Sequence, residues 1–359
     1  MKYISEYRDP KLVHSLVAEI RKASHREVAL MEVCGGHTMS IHRYGIPALL
    51  PENIKLLSGP GCPVCVTSRS FIDHAVALAR RPEVIITTYG DLIRVPGTES
   101  TLDREKAAGR DVRIVGSTLE ALKMARENPG KRVVFLGIGF ETTAPGSAAA
   151  VKMAQKEGLQ NFFLLSAHKV MPPAMEALIT EGVTINGYIC PGHVSTITGA
   201  AIYDFIPAKY GLGCVIAGFE PTDILQSILM LVRQIEQGRP CVEIQYNRAV
   251  QARGNLKAQE LLRDVFEPGD DWWRGFGILP HSGLKLKADF AAWDAEKVFQ
   301  VSLPEPAEEK GCICGELLKG LKKPTDCKLF GKACTPENPV GACMVSNEGA
   351  CAAFYRYSA

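Results

Sequence analysis

Short apolar runs rich in β-branched residues recur along the first two thirds of the chain, and each ends in a glycine-rich or polar turn. The runs of the first third are EVALMEVCGGHT (27–38), NIKLLSGPGCP (53–63) and EVIITTYGDLI (83–93). Between the last two, SRSFIDHAVALARR (68–81) places apolar residues at helical spacing behind a serine that suits a helix N-cap. Strands that alternate with helices in this way are typical of a parallel α/β sheet.

The middle third repeats the same pattern. Its strand-like runs are KRVVFLGIGFETT (131–143), NFFLLSAHKV (161–170), INGYICPGHVS (185–195) and GCVIAGFEPTD (213–223). We therefore expect an α/β fold with two similar parallel-sheet domains that face a central cleft, residues 1–115 and residues 116–245.

The pattern changes after Pro240. The stretch EPGDDWWRGFGILPHSG (267–283) is predicted to be a loop, and the tail from residue 311 is dense in cysteine, glycine and proline. A tail of this composition has too little apolar surface to order itself. Residues 246–359 are therefore expected to form a third, C-terminal iron-sulfur domain that is organised by its cofactor.

Composition narrows the functional classes. The net charge of +2 over 359 residues, without a block of lysine and arginine, argues against nucleic acid as a partner. No apolar run approaches the roughly 18 residues that span a bilayer, and the N-terminus lacks a signal-peptide core. We therefore expect a cytoplasmic protein without a membrane partner, in which the twelve cysteines include metal ligands or working thiols.

Chemistry-bearing side chains follow the predicted strands. Ligands of open parallel sheets bind beyond the carboxyl ends of the strands, where such loops converge. We expect one cleft to collect seven of these side chains, namely Cys34, His37, Cys62, Cys65, Glu141, His168 and His193. Cys190, Cys214 and Cys241 lie among apolar neighbours and are expected to be small buried residues.

The paired thiols of GPGCPVC (59–65) admit three interpretations. They are part of a zinc site that also uses Cys34 and His37, a redox dithiol, or neighbours of an incompletely ligated metal held by Cys34. Spacing alone leaves these alternatives open.

The tail carries six further cysteines within about forty residues, of which two form a C-x-C. Zinc modules use paired C-x-x-C knuckles, and the tail has none. Dispersed cysteines favour a four-cysteine iron-sulfur cluster over zinc, and the two surplus thiols then need another role.

Five separated motifs resemble one known family. MEVCGGHT, GPGCPVCVT, GFETTAPG, CPGHVSTI and the tail from CICGELL to CTPENPVGACMVSNEGACAA resemble the HypD family, which matures the active-site iron of nickel–iron hydrogenases. The resemblance covers nearly the whole chain. Many members read CGGHTH where this chain reads CGGHTM, so Met39 replaces a second histidine of that loop.

The resemblance implies a scaffold and redox protein rather than an enzyme of ordinary turnover. Members bind the small partner HypC and together hold an iron that receives two cyanides and one carbon monoxide, while HypE delivers cyanide as a thiocyanate. On this chain Cys34 resembles the iron ligand and Cys62 with Cys65 the redox pair. The glycine loops and donors such as His37, Thr142 or His193 would favour the anionic diatomic ligands, and Glu141 lies in the same motif as Thr142.

In the number of its cysteines the tail resembles ferredoxin–thioredoxin reductase, in which four cysteines hold a 4Fe-4S cluster and two more form an adjacent disulfide. By that analogy Cys312, Cys327, Cys334 and Cys351 bind the cluster, and Cys314 and Cys343 form the redox pair. The competing set of ligands is the last four cysteines, with Cys343 in place of Cys312.

The sequence is compatible with two other functions. One is an iron-sulfur-dependent thiol-disulfide oxidoreductase, in which the cluster reduces Cys62 and Cys65 for another protein. The other is a binding module organised by zinc.

Overall fold

The computed structural model describes residues 5–303 and 310–358. Within them the strands are β1 Val28–Glu32, β2 Ile54–Ser58, β3 Val84–Thr88, β4 Val112–Ile114, β5 Arg132–Gly139, β6 Phe162–His168, β7 Gly187–Pro191, β8 Gly213–Ala217, β9 Val242–Ile244, β10 Phe266–Trp273 and β11 Gly277–Leu286.

The same residues form seventeen α-helices, most of which follow a strand. They are α1 Pro10–Ala23, α2 Gly35–Arg43, α3 Ile46–Leu49, α4 Pro63–Val66, α5 Arg69–Ala79, α6 Leu102–Ala107, α7 Thr118–Glu127, α8 Ala144–Glu157, α9 Met171–Thr180, α10 Gly192–Thr198, α11 Phe205–Tyr210, α12 Pro221–Gln237, α13 Leu256–Val265, α14 Ala295–Val298, α15 Cys314–Leu318, α16 Ala342–Val345 and α17 Ala350–Tyr357. Short 3₁₀ turns lie at Ser5–Arg8, Gly90–Arg94, Ala201–Tyr203, Ala288–Trp293 and Pro324–Asp326.

Two parallel sheets form the centre of the molecule, which confirms the predicted α/β class. One has five strands in the order β2-β1-β7-β8-β9, and the other has four in the order β4-β3-β5-β6. Strands β3, β7 and β8 are buried along their whole length, as expected of parallel sheets covered on both faces. The predicted cap is present as well, because the Ser68 hydroxyl accepts a hydrogen bond from the Phe71 amide at the start of α5.

The four strands of one sheet, β3 to β6, lie in sequence between β2 and β7 of the other sheet. Strand β1 pairs with β7, so that Leu30 lies opposite Gly187, and β3 pairs with β5, so that Val84 lies opposite Arg132. The predicted boundary near residue 115 therefore falls between elements of one sheet, since β3 and β4 precede it and β5 and β6 follow it. As independent folding units, the ranges 1–115, 116–245 and 246–359 stay a prediction.

The segment predicted to be a loop after residue 266 is instead an antiparallel hairpin of β10 and β11. Its register shifts between Gly269 and Asp271, and Pro268 lies inside the first strand. Proline, glycine and a bulge interrupt the alternation of apolar and polar residues, which is why the pattern concealed the strands.

A buried lysine fastens this hairpin to the four-stranded sheet. The Lys169 ammonium group donates to the Asp271 carboxylate at 2.6 Å and to the Trp272 carbonyl at 2.9 Å, and it lies 5.3 Å from the centre of the Trp273 ring. The Val170 amide donates to the Ser282 carbonyl at 2.9 Å. The hairpin thus packs against the end of β6.

Two of the three scattered cysteines are buried as expected. Cys190 in β7 and Cys214 in β8 lie on neighbouring, paired strands, and both are buried. Cys241 lies just before β9 and is exposed. The prediction was therefore wrong for Cys241, because a short edge strand does not cover it. In the described part of the chain, no helix is both long and apolar enough to cross a bilayer.

Replacement of Lys169 by methionine is expected to lower the free energy of unfolding by about 3 kcal/mol, because it leaves the Asp271 carboxylate without its buried cation. Chemical denaturation under anaerobic conditions measures the change. The matched control is Lys209→Met, which removes the ion pair of a mostly exposed lysine with Glu176. This control should leave the free energy of unfolding unchanged. Equal effects of the two substitutions would contradict a structural role for the buried pair.

Candidate functional site

Cys34 lies where β1 ends and α2 begins, at the N-cap of that helix. The side chain is half-buried, and burial, followed by the negative charge of Glu348, raises the pKa of its thiol to about 12. At neutral pH the metal-free thiol therefore keeps its proton. A metal ion that binds Cys34 must displace that proton, so its affinity should increase with pH.

A buried carboxyl group at the end of β1 holds the Cys34 loop by hydrogen bonds. Glu32, near the end of β1, accepts hydrogen bonds from the Cys34 amide at 3.0 Å and from the Thr38 hydroxyl at 2.5 Å. Burial raises its pKa to about 8. The carboxyl group thus ties both ends of the first turn of α2 to the strand.

The loop 59–65 packs directly on the backbone of Cys34. The Gly35 amide donates to the Gly61 carbonyl at 3.0 Å, and the Gly59 amide donates to the Glu32 carbonyl at 2.8 Å. A Cβ atom on Gly61 would lie 2.1 Å from the Cys34 nitrogen, so only glycine allows this approach. Contact between these two backbones brings the Cys34 loop and the paired thiols together.

Cys62 and Cys65 form a disulfide in the structure. Their Cα atoms are 5.2 Å apart, within the range that a disulfide spans without backbone movement. Both residues are buried, and α4 holds them at its N-cap and third position. The geometry fits the redox interpretation of the C-x-x-C pair.

Two histidines lie on opposite faces of one aromatic ring. Phe219 stacks on His37 with 4.7 Å between ring centres, and on His193 with 4.1 Å. The His37 Nε2 atom lies 3.2 Å and 3.0 Å from the carbonyls of Ala217 and Gly218, so it carries the donated proton. Burial lowers the pKa of His37 to about 4, and its Nδ1 atom has no hydrogen-bond partner among the described residues.

A groove of about 670 Å³ opens beside this stack. His193 is exposed to it, and its walls include Gly36, Met39, Phe219, Tyr246, Arg248 and Glu348. Met39, the position at which the CGGHTM motif departs from CGGHTH, therefore lines the groove with a thioether. The groove lies next to the Cys34 sulfur, because Gly36 forms part of its wall. A Cβ atom on Gly36 would lie 3.7 Å from that sulfur.

Glu141 and His168 occupy separate environments. The Glu141 carboxyl accepts a hydrogen bond from the Met171 amide at 3.0 Å, and burial raises its pKa to about 7. His168 lies between the hydroxyls of Ser147 and Ser166 in the core of the second sheet. Among the described residues, neither side chain contacts Cys34 or the two stacked histidines. Thr142, the neighbour of Glu141 in sequence, is half-buried.

The tail thiols converge on one cavity. Besides Leu317, Leu329, Phe330 and Met344, its wall is formed by Cys312, Cys314, Cys327, Cys334 and Cys351. Burial raises the pKa of the Cys351 thiol, and the neighbouring thiols raise it further. Thiols crowded into an apolar cavity cannot ionise together without a cation, so this cavity has the donor set and the surroundings of a buried metal cofactor.

The tail thiols lie around the cavity wall rather than at one point. In residues 5–303 and 310–358, no three cysteine, histidine or acidic side chains converge closely enough to hold one metal ion. Zinc and a 4Fe-4S cluster are both held by four such ligands, so the identity of the cofactor stays a prediction.

Cys314 lies between the cavity and Cys343. Its sulfur is 3.3 Å from that of Cys312, and its side chain also contacts that of Cys343, which is buried and is not part of the cavity wall. Cys343 follows Ala342, whose carbonyl is 4.0 Å from the Cys65 sulfur. The tail thiols and the C-x-x-C pair therefore approach each other through α16.

Sequence reasoning missed three side chains of this region. Phe219 and Phe140 each stand in a GFE sequence directly after a strand, β8 and β5 respectively. This repeat of the sequence GFE was the signal by which Phe219 could have been found. Glu32 was visible as a single acid within an apolar strand. Glu348 carried no local signal, since only the folded tail brings it against Gly35.

Comparison with known proteins gives consistent matches. The model of the HypD family, described as "Hydrogenase formation hypA family", matches residues 11–358. The chain is 48% identical to hydrogenase maturation factor HypD2 of Bradyrhizobium diazoefficiens, over 99% of this chain and 97% of that protein. It is also 48% identical to hydrogenase maturation factor HypD of Azotobacter vinelandii and 46% identical to that of Cupriavidus necator, again over 99% and 97%.

Replacement of Gly61 by alanine is expected to push the thiol loop away from Cys34, because the new methyl group would overlap the Cys34 backbone. We expect a lower thermal unfolding temperature and faster alkylation of Cys34 by a maleimide, both measured in metal-free protein. The matched control is Gly130→Ala, where a Cβ atom meets nothing within 4 Å. Unchanged Cys34 reactivity in a destabilised Gly61→Ala protein would contradict the predicted displacement.

Proposed function

The chain belongs to the HypD family of hydrogenase maturation factors, and from that membership we propose that it is a scaffold and redox protein for the iron of a nickel–iron hydrogenase. Its cargo is one iron, on which two cyanides and one carbon monoxide are assembled. It holds this iron together with a small partner of the HypC kind and receives cyanide from a partner of the HypE kind.

The position of Cys34 carries the proposal. Its thiol lies beside an open groove, while its backbone packs against the loop of the Cys62–Cys65 pair. Iron that carries cyanide and carbon monoxide is a soft acceptor, for which a thiolate is a suitable donor. A single thiol beside an open groove leaves other iron positions to the diatomic ligands and to a ligand from the partner protein.

The two stacked histidines take different parts in this proposal. His37 already donates from Nε2 to backbone carbonyls, and its low pKa keeps Nδ1 unprotonated, so it lacks a second proton to donate. We therefore assign His37 to positioning Phe219. His193 is exposed in the groove and is the better donor to a bound cyanide. Roles for Glu141 and Thr142 stay predictions, since neither residue lines the groove and the Glu141 carboxyl binds the Met171 amide.

Release of cyanide from a thiocyanate requires two electrons. The Cys62–Cys65 dithiol would supply them by forming its disulfide, while the sulfur–carbon bond of the donor breaks and yields a thiol, cyanide and one proton. Contact between their loop and the Cys34 backbone would keep this pair close to the cargo iron. The disulfide must then be reduced before the next cyanide.

Cys312, Cys327, Cys334 and Cys351 are the residues proposed to hold a resident 4Fe-4S cluster. When bound there, the cluster would supply single electrons. Cys314 touches the cavity and Cys343, and it suits a redox pair beside the cluster. The competing ligand set is less favoured, because Cys343 does not line the cavity.

A thiol-disulfide oxidoreductase that serves another protein is the alternative function. The disulfide of Cys62 and Cys65 favours it as much as the scaffold. Reduction of generic protein disulfides in the absence of the small partner would support this alternative. A binding module organised by zinc is the other alternative, and zinc without labile sulfide in anaerobically purified protein would support it.

The Cys34→Ala variant is expected to lose iron capture with the HypC-type partner, because it lacks the proposed thiolate. Infrared spectra of the anaerobically purified complex should lose the cyanide and carbon monoxide bands. Iron and sulfide of the protein alone should stay at about four each, since the cluster ligands are untouched. The control is Cys241→Ala, which removes an exposed thiol. Retained bands in Cys34→Ala would contradict the assignment.

The two ligand sets of the cluster are separated by one pair of variants. Cys312→Ser is expected to reduce iron and sulfide well below four each, whereas Cys343→Ser should retain both, because only Cys312 lines the cavity. Acid-labile sulfide and the visible absorption of anaerobic protein measure the difference. The opposite result would favour the last four cysteines as ligands.

A further inference from the structure

The tip of the β10–β11 hairpin lies between the Cys62–Cys65 loop and the Cys312–Cys314 segment. Arg274 in this tip is 6% exposed, and it contacts three successive carbonyls at the end of α4. Its amide donates to Val66 at 3.1 Å, its Nε atom to Cys65 at 3.1 Å and one terminal nitrogen to Thr67 at 3.1 Å.

The other side of the tip touches the tail. Gly275 has a φ of 88° and packs against Gly315, which follows Cys314. A Cβ atom on Gly275 would lie 2.7 Å from the Gly315 Cα atom, so the two backbones are in direct contact. The hairpin tip therefore joins the two thiol regions.

We propose that Arg274 is a positioning residue that holds Cys62 and Cys65 together when their disulfide is reduced. This inference rests on the proposed redox function of the pair. Helix α4 is a single turn, which does not persist by itself in water. The last carbonyls of a helix lack internal partners, and a buried guanidinium that binds them in a fork stabilises the turn.

The consequence is a change in reduction potential. Reduction adds two electrons and two protons to the disulfide and yields two thiols, with dithiothreitol as the donor in the test. If Arg274 keeps the turn intact, the thiols stay close, and their high effective concentration favours the disulfide. Loss of the forked contacts lets them separate and makes the potential less negative.

The test is a redox titration of the anaerobically purified full chain with its metals. The protein is equilibrated in mixtures of reduced and oxidised dithiothreitol, trapped with a maleimide, and the peptide that contains Cys62 and Cys65 is measured by mass spectrometry. For Arg274→Met we expect a tenfold fall in the equilibrium constant for disulfide formation, about 30 mV for this two-electron couple.

Arg274→Lys distinguishes geometry from charge. Lysine keeps the positive charge but lacks the planar fork, so it should shift the potential as methionine does. The control is Arg80→Met, which removes an arginine bound to Glu105 and should leave the potential unchanged. A wild-type potential in Arg274→Met, or a shift in Arg274→Met that Arg274→Lys abolishes, would overturn the positioning role.

A measurement on the wild-type protein covers the case in which the variants do not fold. Hydrogen exchange should protect the Arg274 amide, which donates to Val66, in both the oxidised and the dithiothreitol-reduced protein. Protection only in the oxidised protein would overturn the proposal. A pair that shows no two-electron equilibrium at all would instead contradict the proposed redox function.

Discussion

Contact between the backbones of Gly61 and Cys34 is the constraint on which the site depends. Strands β1 and β2 are parallel neighbours, so the loops that follow them leave the sheet at the same edge. The absence of a side chain at residue 61 lets these loops touch. The same approach places the C-x-x-C pair below Cys34, with Glu32 fixing the turn from the strand side. One glycine thus connects the Cys34 thiol to the Cys62–Cys65 pair.

Three buried charged or polar side chains of the loops and the hairpin are held by specific partners. Lys169 pairs with Asp271, Glu32 accepts from the Cys34 amide, and Arg274 binds the carbonyls of α4. Burial of such groups is unfavourable unless their hydrogen bonds are made, so these partners fix the hairpin and the loops in one arrangement. Polar contacts therefore add to the apolar packing of the region.

The sequence predicted the elements of the fold better than their arrangement. Apolar runs and the Ser68 cap are local signals, and the corresponding strands and helix are present. Strand order depends on contacts between distant residues, such as Leu30 with Gly187, which no local pattern contains. Pro268 and the bulge after Gly269 concealed the hairpin, and with it Arg274. The motif cysteines were found because their chemistry is rare, whereas Phe219 is an ordinary apolar residue in sequence.

The insertion of one sheet between the strands of the other also determines when the site can form during synthesis. The ribosome releases β1 and β2 early, but their sheet gains β7 only after about 190 residues and β8 after about 217. Domains that are continuous in sequence can fold as they emerge, whereas strands with distant partners must wait. The thiols of the first loops therefore emerge long before their surroundings, and α16, which covers Cys65, is among the last parts to be made. Burial of these cysteines is therefore complete only after the C-terminal part of the chain has folded over them.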